Sequence, residues 1–223
     1  IKSIDITQAL AIPGVHAVIT GADFPGGGIS GEIDGEGGGS ISDQAKNVIA
    51  RDKVLYHGHA LAAVAAISDR AADRALDAIK VEYEVLSPVL DILEAIDPDS
   101  VLVNENNYTK LPEKPDRPSN IANVGNLVRG DIQEGFGRAD VVIEREYVCP
   151  MTHQGYIEPH SCLASVDEEG KGTVWCSTQG HFEFRNQTAS ILKKNIADLK
   201  FVAKEIGGGF GGKTVGYLEP LAV

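Results

Sequence analysis

The run Ile206-Gly207-Gly208-Gly209-Phe210-Gly211-Gly212-Lys213 constrains this chain more than any other feature, because five glycines around one aromatic describe a backbone built for close approach. Without Cβ atoms such a backbone takes positive φ and can turn successive amide N–H groups toward an anion, with Phe210 left to wall off a pocket. The preceding residues 199–206 are strand-like with mixed polarity. The glycines are therefore expected at a strand's carboxyl end, a common place for a ligand crevice in α/β folds, and the expected guest is a phosphate-bearing cofactor. A flexible linker would mix glycine with serine rather than surround a phenylalanine.

The same residues satisfy G-x-x-x-x-G-K-[ST] literally, from Gly207 to Thr214, which raises a P-loop NTP-binding protein as a rival. That machinery needs a helix after the lysine and then a strand with a magnesium-binding aspartate, whereas only nine residues follow Thr214, Pro220 among them. Metal sites built from side chains fare worse. His153, Glu158 and His160 are spaced H-x-x-x-x-E-x-H with Pro159 between the last two, which excludes a helical zinc motif, and His57 with His59 lacks a third ligand. Glu32, Asp34, Glu36, Gly37 and Asp43 fall near calcium-loop spacing, but Pro25 and the glycines after it cannot form the entering helix. No G-x-S-x-G elbow or cysteine nucleophile signature occurs. Gln179, in Cys176-Ser177-Thr178-Gln179-Gly180, puts an amide between a strand and a helix, where it can donate to an oxo or phosphate oxygen without a charge or simply cap a turn.

Length and composition bound the rest. The 223 residues, 43% of them apolar, can build one large or two small domains with a real core. A net charge of −12 disfavours nucleic acid as a partner. The longest apolar run, residues 60–67, has eight residues against the ~20 that span a bilayer, and no export signal is visible, so neither a membrane nor secretion is expected. Cys149, Cys162 and Cys176 are odd in number and far apart, which suits a reducing cytoplasm and buried small hydrophobes rather than disulfides or a cluster. A chain opening at Ile1 without methionine and closing on Leu221-Ala222-Val223 reads as a fragment.

Along the chain, residues 1–95 read as an α+β unit: strand 1–5, helix 7–12, strand 14–20, a glycine-rich loop over 24–40, two strands within 53–67, a helix over 70–79 capped by Asp69, a strand over 80–85 and a turn of helix over 91–96. The helix is expected to bury Ala72, Ala75, Leu76 and Ile79. Residues 97–123 hold four of the ten prolines and read as a linker. Beyond it come a strand at 126–129, a helix at 132–139, a strand over 140–148, a hairpin of 161–166 with 173–177, a helix over 183–193 and the strand 199–206.

Taken in order, Glu158-Pro159-His160, Ser177-Thr178-Gln179-Gly180 and the 206–213 loop resemble the large subunit of the molybdenum hydroxylases, the xanthine dehydrogenase family. The resemblance extends to Pro13-Gly14-Val15-His16-Ala17-Val18 and to residues 54–65, which are similar to that family's hammerhead domain, and to Arg129-Gly130-Asp131. It implies an α+β architecture: a hammerhead-like α/β domain at 1–96, the linker at 97–123 and the first part of a molybdopterin-binding domain at 124–223. It implies that Gln179 meets the molybdenum cofactor's oxo or pterin side and that Gly208, Gly209, Phe210 and Gly211 hold the molybdopterin. It further implies hydroxylation of an N-heterocycle or aldehyde with water as oxygen source, electrons leaving through iron–sulfur clusters and often FAD in partner chains, and a further part of the molybdopterin subunit as partner. The family's catalytic glutamate lies in a downstream glycine-rich segment, so no catalytic residue is assigned here. Thr214 stands where xanthine-specific members have a glutamate, which turns the expected substrate toward another heterocycle such as nicotinate. The rivals are the P-loop protein and a cofactor-free binding module that retains the fold.

Overall fold

The structure, a computed structural model, describes residues 1–26, 28–33 and 39–223. The expected calcium-loop residues Asp34, Glu36 and Gly37 lie outside them. In chain order the elements are β1 (Ser3–Asp5), α1 (Thr7–Leu10), β2 (Val15–Thr20), β3 (Glu32–Ile33), β4 (Gly39–Ser40), α2 (Ile41–Val48), β5 (Ala62–Ala66), α3 (Asp69–Ala78), β6 (Lys80–Glu82), α4 (Ile92–Ala95), α5 (Ile132–Gly137), β7 (Cys162–Val166), β8 (Gly172–Cys176), α6 (His181–Leu192), β9 (Leu199–Ala203) and α7 (Glu219–Ala222). They fall into two compact units, one of Ile1–Val85 with Gln154–Val223, the other of Leu86–His153.

In the first unit, β1 pairs antiparallel with β6 and β2 with β5, as alternating β-branched and small residues favour. The two pairs form separate two-stranded sheets, and α3 packs Ala75 against Ala9 and Val18. The helix buries Ala71 and Ala75 and leaves Leu76 exposed, because only the small side chains let it lie close to α1 and β2; the expected apolar face is thus rotated toward Ala71. Its cap is Ser68, whose hydroxyl accepts from the Ala71 N–H, one residue before the expected Asp69. Of the two strands expected within 53–67 one forms, since residues 53–56 have no strand partner among the described residues. The expected 24–40 loop contains a minimal β3–β4 pair and leads into α2, a helix absent from the sequence-based expectation. The signal for it is nevertheless present: Ser40 accepts from the Asp43 N–H, and Ile41, Ala45 and Val48 follow at helical spacing. That face joins Phe24 and Ile191 of α6 in one core.

The expected hairpin forms as β7–β8, antiparallel, with β9 added parallel to β8. A parallel neighbour requires a crossover, which α6 supplies, its Phe184 fully buried under Val174, Leu199 and Phe201. Burial of that ring alone contributes ~1.5–3 kcal/mol. Lys193 at φ 52° ends α6 in the left-handed conformation. A β8–α6–β9 unit places two chain exits at the same carboxyl edge of the sheet, after Cys176 and after Ala203.

The second unit is held differently. Asn120 donates to the Ala95 and Val101 carbonyls at 3.0 and 2.9 Å and accepts from the Val103 N–H, while Asn107 donates to Ser119 and Ile121. Residues 97–123 carry these hydrogen bonds and lie within the Leu86–His153 unit. Helix α5 forms under the cap Asp131, but the strands expected at 126–129 and 140–148 do not, because no described segment pairs with them and a strand without a ladder gains nothing from its β-branched residues. Cys149, just beyond the latter stretch, is exposed rather than buried.

Candidate functional site

Both exits from the carboxyl edge of β8 and β9 carry the residues singled out by sequence: Ser177-Thr178-Gln179 follows β8, and the glycine loop follows β9. The Gln179 side-chain oxygen Oε1 accepts the Gly211 N–H at 3.0 Å and the Lys213 N–H at 3.2 Å, and the Gln179 N–H donates to the Lys213 carbonyl at 2.9 Å. Two backbone donors can only be met by an oxygen, so the carboxamide's orientation is fixed and its NH2 is left for another acceptor.

Glu158 closes the loop from the other side. Its Oε2 accepts from the Gly207 N–H, the Ser177 hydroxyl and the Lys213 ammonium, each at 2.7 Å. One carboxylate oxygen thus gathers the first and last residues of the loop. Lys213 is 0% exposed and also donates to Ser177 Oγ at 3.0 Å. Lys213 and the Ser177 hydroxyl, then the Gly207 N–H, hold the Glu158 carboxyl down to about 2, so it stays ionised. Glu158 stands out in the sequence but its partner does not; a lysine closing a glycine loop and a glutamate before proline give no pairing signal until the fold brings them together.

The glycines have two reasons to be glycine. At Gly208 and Gly211 φ is +95° and +85°, and Phe210 between them takes +49° despite its side chain. At Gly207, Gly209 and Gly212 an added Cβ would lie 2.5 Å from Glu158 Cβ, 2.5 Å from Gln179 Oε1 and 2.7 Å from Tyr156 Cε1. The close approach expected toward a ligand is, at these three positions, an approach to the chain's own side chains. With Gly207, Gly211 and Lys213 amides engaged as above and the Gly212 N–H on the Gly209 carbonyl at 2.7 Å, the Gly208, Gly209 and Phe210 amides have no hydrogen-bond partner among the described residues. Phe210 is 75% exposed and held in the left-handed region, which non-glycine residues seldom adopt.

This geometry overturns the P-loop alternative. The lysine that would reach a nucleotide's phosphates is buried on Glu158, and no helix follows it until the four residues of α7. The zinc candidates are not assembled: Glu158 is engaged by Lys213, and His160 bonds the Tyr156 hydroxyl at 2.9 Å. His59 is buried, its Nδ1 accepting from Leu55 and its Nε2 bonded to the Lys46 carbonyl. Among the described residues no group of three His, Cys, Asp or Glu side chains is placed to hold a metal, and no helix is long and apolar enough to cross a membrane. Cys162 and Cys176 face each other across β7 and β8 as free thiols, pushed by burial up to about 11 and about 12. A cavity of about 290 Å³ lies beside them, bounded by Glu158, Ser177, Trp175 and Lys204; neither Gln179 nor Phe210 lines it.

Known proteins resemble this chain in sequence and fold. Residues 1–87 match the aldehyde oxidase and xanthine dehydrogenase a/b hammerhead domain, and residues 113–223 match the molybdopterin cofactor-binding domain. The nicotinate dehydrogenase large molybdopterin subunit of Eubacterium barkeri is 32% identical over 96% of this chain and 45% of its own length. The chain belongs to the xanthine dehydrogenase family of molybdenum hydroxylases. A xanthine dehydrogenase/oxidase of Gallus gallus is 31% identical over 96% of the chain and 14% of the relative. The Cu,Mo-CO dehydrogenase in its carbon monoxide reduced state superposes with a TM-score of 0.74 at 27% identity, over 99% of this chain and 27% of that one. The chain therefore spans less than half the length of these family members. The hammerhead and cofactor-domain matches also account for the α+β architecture, and they place Gln179 and the glycine loop within the molybdopterin-binding match.

Proposed function

We propose that this chain supplies the molybdopterin-holding edge of a molybdenum hydroxylase that acts on an N-heterocycle or an aldehyde, with water as oxygen source and electrons passing to iron–sulfur clusters, and in some assemblies FAD, in partner chains. The observation that carries the reading is the Gln179 carboxamide, its oxygen locked by two amides of the loop that carries the exposed Phe210 ring and its NH2 left for another acceptor. The residues fit such a group: three amides without partners at Gly208, Gly209 and Phe210 suit the anionic tail and polar edge of a pterin, and Phe210 offers an apolar wall. The cofactor, once bound, supplies the oxygen-transfer and redox chemistry.

The chain's own part is binding and orientation. Gln179 donates from a neutral amide, so its contact stabilises negative charge without giving up its proton. The Phe210 ring excludes water from the face it covers. Glu158 stays ionised on Lys213 and has no proton to give, so its part is to brace the loop rather than to act as an acid. The relative named for nicotinate supports an N-heterocycle, as does Thr214 in place of a glutamate.

The test is direct. In the full-length protein purified with its accompanying chains, molybdenum and pterin should be present in equal amounts per chain, and Gln179→Ala with Phe210→Ala should lower both. A native assembly lacking molybdenum and pterin ends this reading.

A further inference from the structure

The first third of the chain reaches the glycine loop through one buried side chain. Gln44, on α2 among Ile41, Ala45 and Val48, is 3% exposed. Its Nε2 donates to the Gly216 carbonyl at 2.7 Å and to Gln187 Oε1 at 2.8 Å. Gln187, on α6 and 0% exposed, uses the same Oε1 to accept the Gly216 N–H at 2.9 Å. Its own Nε2 donates to Glu183 Oε1 at 3.3 Å and makes a long contact with the Thr214 carbonyl. Both polar groups of Gly216 are thereby held, one by each glutamine, and an added Cβ there would sit 3.1 Å from Glu219 Oε2 and 3.3 Å from Phe184 Cδ1. Gly216 lies three residues past Lys213, where Glu158 fixes the loop's end.

Packing alone does not explain a glutamine here. The surrounding α2–α6 core is apolar, and the Gln44 oxygen is buried without a partner among the described residues, which an aliphatic side chain of the same volume would avoid. What the carboxamide adds is direction. It donates twice, to fixed acceptors, and so sets the position of 214–216 relative to α2 in a way a non-directional contact cannot.

We propose that Gln44 is a positioning residue for the glycine loop: through Gln187 and Gly216 it fixes the loop's exit, and with it the pose of Gln179 and Phe210. The proposal rests on the molybdopterin reading of that loop only for its functional meaning.

The test uses the full-length protein with its accompanying chains, comparing Gln44→Met and the double variant Gln44→Met/Gln187→Met with the wild type. Amide hydrogen exchange is read on peptides covering 206–216 and, as control, 15–20; melting midpoint, molybdenum and pterin content and the molybdenum paramagnetic resonance signal per bound metal are read on the same preparations. The single variant, which loses the bonds to Gln187 and to the Gly216 carbonyl, should speed loop exchange about tenfold, with the 15–20 peptide unchanged. The double variant should melt lower still, since the Gly216 N–H and carbonyl then both lose their partners, and it should keep the fast loop and a shifted resonance signal. Unchanged loop exchange, acceleration spread evenly over both peptides, or a loop restored in the double variant overturns the proposal. A wild type devoid of molybdenum and pterin sinks the cofactor reading instead, and the exchange data still judge Gln44.

Discussion

Residues 154–223 and residues 86–153 both contain runs of β-branched and aromatic side chains, yet the two regions use them in opposite ways. In the first, Val174, Leu199 and Phe201 are buried on paired strands under Phe184. In the second no residue is buried, and Val141, Val142, Ile143, Tyr147 and Val148 are exposed on unpaired backbone. The difference is a lateral partner. A hydrophobic run becomes a strand when a ladder and a covering helix are available, and the β8–α6–β9 crossover provides both within a few dozen residues. The second unit instead relies on side-chain amides, with Asn120 and Asn107 bonding carbonyls that no sheet satisfies.

Substitutions can break that contrast, beginning with the greatest effect. Glu158→Gln leaves the buried Lys213 ammonium without its counter-charge, and the variant should lose most of its molybdenum and melt well below wild type, whereas Glu158→Gln/Lys213→Met should recover much of the melting midpoint. Metal analysis and calorimetry on the same samples check both halves. Gly209→Val forces a side chain onto Gln179 Oε1 and should cost about 1–3 kcal/mol together with cofactor content. Its counterpart in the other region, Gly125→Ala, meets nothing within 4 Å and should stay within about 0.5 kcal/mol of wild type by denaturant melting. Asn120→Ala strips three hydrogen bonds from the second unit and should cost about 1–3 kcal/mol locally, seen as faster proteolysis within 95–121 with bound molybdenum unchanged.

The smallest effect concerns pH. Burial, only partly opposed by the Lys46 carbonyl, lowers the His59 pKa, and the ring accepts from the Leu55 N–H only while neutral. The unfolded chain then binds the proton more readily than the folded one, so the contribution of His59 is complete above its ordinary value of 6.5 and is lost as pH falls through its lowered value. His59→Gln should flatten the fall in melting midpoint between pH 7.5 and about pH 5 relative to wild type; parallel curves would show that His59 does not titrate with folding.

Local signals carried much of this fold. Alternation and turn chemistry marked β7, β8 and the Asp167–Gly170 region between them, because these strands pair with near neighbours in sequence, and helical spacing marked α3. The failures share a cause. The 140–148 stretch reads as a strand by composition, but pairing is a tertiary property; α2 was hidden by the glycines before it, although Ser40 and Asp43 announced its cap. At the site, Gln179 and the glycine run were visible as residue types. The Glu158–Lys213 pair, separated by 55 positions, and the Gln44–Gln187 contact, separated by 143, were not, since no periodicity or spacing encodes a bond between side chains that far apart.

The single oxygen of Glu158 that receives Gly207, Ser177 and Lys213 has a consequence for the order of assembly. A receptacle braced by its own internal salt link keeps its outline before anything is placed in it. Loading can then come late in the life of the molecule, as a key enters a finished lock, because residues 207–213 are already braced on Glu158.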